Sequence, residues 1–134
     1  MKHHEHPITG IHTLGDLIDL FDADSGTWVN RWIHASFDDN EKIWIGPYWT
    51  DHGDPYFDVG YLEDVPPLKR LAAFFTRHPS CELIDWSPGR LLCIQAHGTA
   101  PDQFKAIVLE VVEALHGPVG HAFKASFKEM KAAG

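Results

Sequence analysis

Three runs of β-branched and aromatic residues crowd the first half of this sequence, and turn signals separate them instead of helices. Trp28 to Phe37, Ile43 to Trp49 and Tyr56 to Leu62 are divided by Asp38-Asp39-Asn40-Glu41 and by Asp51-His52-Gly53-Asp54-Pro55. A parallel pair needs a crossover of a dozen or more residues, so connections this short imply an antiparallel or mixed sheet. Gly46-Pro47 falls inside the second run. Proline cannot donate to a ladder, so that strand is expected to be bulged or to lie at an edge.

Helical patterns flank these runs. Thr13, followed three residues later by Asp16, is close to a capping box, and Leu14, Leu17, Ile18 and Phe21 then mark one helix face. Asp64 offers an N-cap and Pro66-Pro67 suit a first turn, ahead of Leu68, Leu71, Ala72 and Phe75, with His78-Pro79 as the stop. Thr99 to Asp102 repeats the capping pattern before the strongest stripe, Phe104, Ile107, Val108, Val111, Val112 and Leu115. After Gly117-Pro118, the spacing of Val119, Phe123, Phe127 and Met130 predicts a last, basic amphipathic helix. Between these helices, Cys81 to Trp86 and Arg90 to His97 flank Ser87-Pro88-Gly89, a hairpin signal.

The expected order is therefore α-β-β-β-α-β-β-α-α. It describes a single α+β domain over residues 13–134, with a five-stranded, mostly antiparallel sheet and helices mainly on one face. Residues 1–12 are read as a flexible, His-rich N-terminus. The length of 134 residues suits one domain, with no repeat or linker to divide it. This order of elements is similar to that of secretion-chaperone-type α+β proteins, a likeness of topology that no residue motif accompanies.

Alternation along the strands sorts their side chains into two faces. Val29, Ile33, Ala35, Phe37, Ile43, Ile45, Phe57, Val59 and Tyr61 form an aliphatic set that should meet the helices. Trp28, Trp32, His34, Trp44, Tyr48, Tyr56 and Asp58 fall on the opposite face, which is aromatic with polar tips. Pairing the hairpin about Pro88-Gly89 sets Cys93 across from Ile84 and Cys81 across from Ala96, so the two cysteines point to opposite sides and cannot bridge. Both hairpin faces are apolar. A sheet apolar on both sides must be covered on both. The cover is the C-terminal helix, a homodimer or foreign protein, or a small ligand stacked on tryptophan.

Charge narrows the choice of partner. The chain has 19 acidic and 11 basic side chains, a net of −8, which argues against nucleic acid. Residues 1–65 hold 13 acids and 3 bases, whereas residues 66–134 hold 6 acids and 8 bases. The acids Asp38, Asp39, Glu41, Asp51 and Asp54 therefore surround the aromatic face and would steer a basic partner to it. No apolar run approaches the ~20 residues of a membrane span, and no signal peptide is apparent, so a cytoplasmic location is expected.

Catalytic signatures are sparse. His3, His4 and His6 offer a nitrogen-rich terminus, but such runs bind metal adventitiously. Asp22-Ala23-Asp24-Ser25-Gly26 fails as a calcium loop, because the third ligand is missing and position twelve is Ile33. Asp51-His52-Gly53-Asp54 with Asp58 has the composition of a cation or acid–base site, and equally of an ordinary loop. His34 near Asp58 would make a general-base pair if the two met. Cys81 and Cys93 sit in apolar strands, where thiols are inert. No catalytic residue, metal site or cofactor is assigned, and the balance leans away from an enzyme. The leading expectation is a cytoplasmic protein-binding module of chaperone, immunity-protein or antitoxin type, with self-association as one option. The alternative is a small-ligand binder or small enzyme with its pocket on the Trp/Tyr/His face.

Overall fold

The computed structural model describes residues 6–28, 31–48, 54–119 and 122–129. Within them the chain is α+β, with seven strands in one antiparallel sheet and five helices. The strands are β1 (His6–Pro7), β2 (Arg31–Phe37), β3 (Asn40–Tyr48), β4 (Tyr56–Gly60), β5 (Cys81–Ser87), β6 (Leu91–Ala96) and β7 (Phe123–Glu129). The helices are α1 (Leu14–Ala23), α2 (Ser25–Trp28), α3 (Pro67–Arg70), α4 (Ala72–Arg77) and α5 (Pro101–His116). Sheet order is β1-β7-β2-β3-β4-β6-β5.

The five-stranded sheet and nine-element order expected from sequence are corrected by this count. Both additional strands lie at the chain ends. The segment read as a basic C-terminal helix is β7, paired with β2 from Arg31↔Glu129 to Phe37↔Phe123. Residues four apart share a face in a strand as well as in a helix, so the spacing of Phe123 and Phe127 fitted both. Ala125, buried between them, and the alternating Lys124, Ser126 and Lys128 mark the strand. Within the stretch read as a flexible terminus, His6 and Pro7 pair with Phe127 and Ser126, and the Ile8 amide donates to the Ala125 carbonyl at 2.9 Å.

One face of the sheet carries the core. Ile33, Ala35, Ile45, Phe57, Val59, Leu92, Ile94 and Ala125 pack with Leu17, Ile18 and Phe21 of α1 and with Phe104, Ile107, Val108, Val111 and Val112 of α5 in one cluster. Each large apolar side chain so buried contributes about 1.5–3 kcal/mol relative to exposure, which is why α1 and α5 anchor here. Thr13 caps α1 as the sequence implies: its Oγ accepts from the Asp16 amide at 3.1 Å, and the Asp16 carboxylate accepts from the His12 and Thr13 amides. The other two capping expectations fail. Pro66 and Ala100 precede α3 and α5 without a side-chain cap bond, and Leu71 divides the second predicted helix into α3 and α4.

β3 is irregular, as expected of this strand, but its register shift against β2 falls between the Ser36↔Trp44 and Phe37↔Asn40 pairs and not at Pro47, and it is no edge strand, since it runs between β2 and β4. Pairing with β2 runs only to Ala35↔Ile45, while pairing with β4 continues to Tyr48↔Tyr56. The proline thus stands beyond the last β2 pair, where its missing N–H leaves no ladder bond unmade. The hairpin register holds from Cys81↔Ala96 to Leu83↔Ile94, then shifts so that Asp85, not Ile84, faces Cys93. This bulge turns Trp86 to the core side beside Leu92 and leaves Ile84 44% exposed. Among the described residues no helix is long and apolar enough to cross a membrane.

Candidate functional site

The second face of the sheet is the candidate site. Cross-strand pairing arranges it in rows. Tyr48, Tyr56, Gln95 and Glu82 stand side by side, and Gly46, Asp58, Cys93 and Asp85 form the next row. Lys124 faces Ser36, which faces Trp44, while Ser126 faces His34 and Lys128 faces Trp32. Trp32 is 50% exposed and His34 is exposed, whereas Trp44, Tyr48, Tyr56 and Asp58 are half-buried. Six of the seven residues expected on this face are therefore brought together on it.

Trp28 is the exception and corrects the expected strand from Trp28 to Phe37. The Thr27 Oγ donates to the Asp24 carboxylate at 2.7 Å and the Thr27 amide to the Asp24 carbonyl at 3.1 Å. These local bonds wind one helical turn, in the way short polar side chains compete with strand pairing. Trp28 then enters the core, 5.4 Å from Phe21 and edge-on to Phe127, with the Arg31 guanidinium 4.8 Å above its ring.

Two stacked pairs organise the rings on the face. His34 lies 5.4 Å from Trp44 at an interplanar angle of 18°, and Tyr48 lies 4.8 Å from Tyr56 at 22°. Glycine makes room for Trp44. A Cβ on Gly60 would come within 2.5 Å of the indole Nε1, so the ring lies directly over the Gly60 backbone.

Asp58 is hydrogen-bonded by the Tyr48 hydroxyl at 3.1 Å and by the Cys93 thiol. Burial raises its pKa, those two donors oppose the rise, and Asp85 across the row adds to it. Burial next to Asp58 also pushes the Tyr48 phenol and the Cys93 thiol upward, which keeps both protonated at neutral pH. His34 and Asp58 are separated by Gly46 and engage different partners, so the general-base pair is not formed. Among the described residues no group of three or more metal-ligating side chains converges.

The steering acids have other local work. Asp38 and Asp39 form a two-residue hairpin turn at φ 55° and 53°, the left-handed geometry such turns require. Asp38 exchanges bonds with Ala122, its amide donating at 2.6 Å and its carboxylate accepting at 3.2 Å, while Asp39 pairs with Lys124 at 3.3 Å. Both acids thus hold β7 against the hairpin. Glu41 lines a groove beside the face. The Asp54 carboxylate accepts from the Gly98 amide at 2.7 Å and bonds His97 Nδ1 at 2.9 Å; these donors lower its pKa. Asp51 and His52 lie outside the described residues.

Sequence reasoning missed the contribution of β7. Its Lys124 and Lys128 give one margin of the face a positive charge, opposite Glu82 and Asp85 on β5 at the other margin. Two shallow grooves meet at His34 and Ser126. One of about 440 Å³ is lined by Ser36, Glu41 and Lys124, and one of about 400 Å³ by Trp32, Tyr48 and Lys128. Comparison with protein-family models, with curated proteins and with solved structures finds no match to this chain.

Proposed function

We propose that this chain is a cytoplasmic protein-binding module whose aromatic sheet face receives a partner bearing basic groups. One observation carries the reading: a continuous face with Trp32 half exposed and two stacked aromatic pairs beside the half-buried carboxylate of Asp58. Rigid tyrosines and tryptophans anchor interfaces at small entropic cost, and stacking has already ordered four of these rings. The described partners of Asp58 are neutral donors, and Asp85 adds a second negative charge nearby, so a cationic group from a partner has a place on this half of the face. The cysteines, free and buried on opposite sides of the sheet, suit a reducing compartment.

A photo-crosslinking residue at position 32, compared with one at exposed Leu68 away from the face, tests this in living cells. The expected result is a protein captured at 32 and not at 68. Once purified, that protein should bind directly, and binding should weaken with Trp44→Ala and with Asp58→Asn. Equal capture at both positions, or purified binding indifferent to both substitutions, sinks the proposal.

The two grooves favour a second reading, a small-ligand binder, because their volumes lie in the range of ligand sites. Ligand-observed NMR with a library of small carboxylates and aromatics would show saturation transfer that Trp32→Ala and Lys124→Ala abolish. Transfer unaffected by either change removes this reading.

A further inference from the structure

Resting on that reading, we infer that the partner received by the open face is a second copy of this chain, whose β7 lysines supply the basic groups. The argument is one of symmetry. The open face has positive Lys124 and Lys128 along β7, just inside the two-residue edge strand β1, and negative Glu82 and Asp85 along β5 at the opposite edge. Between them the strand order is β7-β2-β3-β4-β6-β5, so the midline falls between β3 and β4. Two sheets packed face to face keep their strands within about 30° of alignment, which leaves two kinds of two-fold axis in the interface plane.

An axis across the strands sets β7 on β7, placing lysines on lysines and acids on acids. An axis along the strands sets β7 of one copy on β5 of the other, β2 on β6 and β3 on β4. Only the second brings opposite charges together, twice, at both margins. It lays Lys128 over Glu82 of the second copy and sets Asp85 between Lys124 and Lys128 of the second copy. In the middle it lays Tyr48 over Tyr56. The face therefore complements itself in charge. Lys128 makes no ion pair among the described residues, and Asp85 bonds only the adjoining Trp86 amide, so both are available.

Size sets the strength of the contact. Six strands at about 4.8 Å by five residues at about 3.4 Å give a flat footprint of roughly 490 Å² per copy. With side-chain relief the total approaches the ~1,000 Å² at which specific interfaces begin, so a dimer dissociating in the micromolar range is expected. The net charge of −8 on each copy does not forbid it, because acids away from the contact are screened over about 8–10 Å while facing pairs are not.

Exchanging charges tests the geometry. Wild type should sediment at twice the 15.1 kDa of one chain and dissociate on dilution. Lys128→Glu alone and Glu82→Lys alone each create two like-charge contacts, and each should weaken the dimer by roughly tenfold or more. Mixing the two variants in equal amounts makes both contacts attractive again, so dimer should reappear in the mixture and in neither component. Circular dichroism of each variant establishes that it is folded. A wild type that stays monomeric at the highest soluble concentration overturns the inference, as does a dimer that neither substitution weakens or that mixing fails to restore. Crosslinking from position 32 separates the two levels: a monomer that still captures a different protein there defeats self-association alone, and a monomer that captures nothing defeats both.

Discussion

Gly60→Ala is the sharpest probe of how the aromatic face is built. The added methyl would sit 2.5 Å from Nε1 and 2.7 Å from Cδ1 of Trp44, and 3.1 Å from the Lys42 carbonyl oxygen. The first two atoms belong to the near side of the indole, close to its Cβ, so the ring cannot clear the methyl by a small swing. Overpacking of this kind costs about 1–3 kcal/mol. Replacing glycine also removes freedom from the unfolded chain, which returns about 0.4–1 kcal/mol. The net loss should be about 1–2 kcal/mol, or roughly 3–7 °C in Tm for a domain of this length.

Urea denaturation followed by circular dichroism measures it, and the same titration on Trp44→Ala and on the double variant isolates the cause. Without the indole, the contact with the Lys42 carbonyl remains but the main clash is gone. Gly60→Ala should then be nearly neutral, giving a coupling energy of about 1–2 kcal/mol. If the substitution costs the same with and without Trp44, or costs nothing in the wild-type background, the placement of the ring over Gly60 is wrong.

Three other outcomes follow from particular contacts. His97 Nε2 bonds Glu82 at 3.0 Å and Nδ1 bonds Asp54 at 2.9 Å; both bonds, Glu82 first, raise its pKa above the ordinary 6.5. A raised folded pKa stabilises fully below the unfolded value and is lost as pH rises through the folded one, so His97→Gln should flatten stability above about pH 6.5. An NMR titration midpoint for His97 at or below 6.5 would contradict this. Thr13→Ala removes one cap bond from the start of α1 and should cost about 0.5–2 kcal/mol by urea titration, with an unchanged m-value. Burial pushes the Cys81 and Cys93 thiols upward, so a disulfide reagent at pH 8 should label neither in the native protein and both after unfolding; rapid native labelling of Cys93 would refute its position beneath the face.

What the sequence made legible was periodicity. Ile33, Ala35 and Phe37 against His34, and Phe57 and Val59 against Asp58, separate into core and open face as alternation requires. Features that periodicity cannot carry were lost. A bulge at Ile84 adds one residue with no compositional mark, yet it moves Trp86 from the open face to the core side. The turn at Ser25–Trp28 left a faint signal, since Asp24 and Thr27 have the spacing of a local side-chain bond, but the run of apolar residues after it read as one strand. The roles of Asp38 and Asp39 were hidden for a different reason. Their bonds reach Ala122 and Lys124, more than eighty residues away, and no local pattern announces a contact of that span.

The C-terminal segment decides what the second face can be. Of the three covers that a two-faced apolar sheet admits, a helix from residues 119–130 is excluded, because residues 123–129 are themselves a strand of the sheet. The residues expected to close the face instead widen it by one strand. Phe123, Ala125 and Phe127 extend the core side, while Lys124, Ser126 and Lys128 extend the open side. The slight basic excess of the second half of the chain therefore acts where the acidic half is exposed, at the margin of the same sheet. A uniformly acidic face would repel its own copy and call for a foreign basic partner. A face with lysines at one margin and carboxylates at the other needs no foreign charge, and the distinction rests on reading seven residues as a strand.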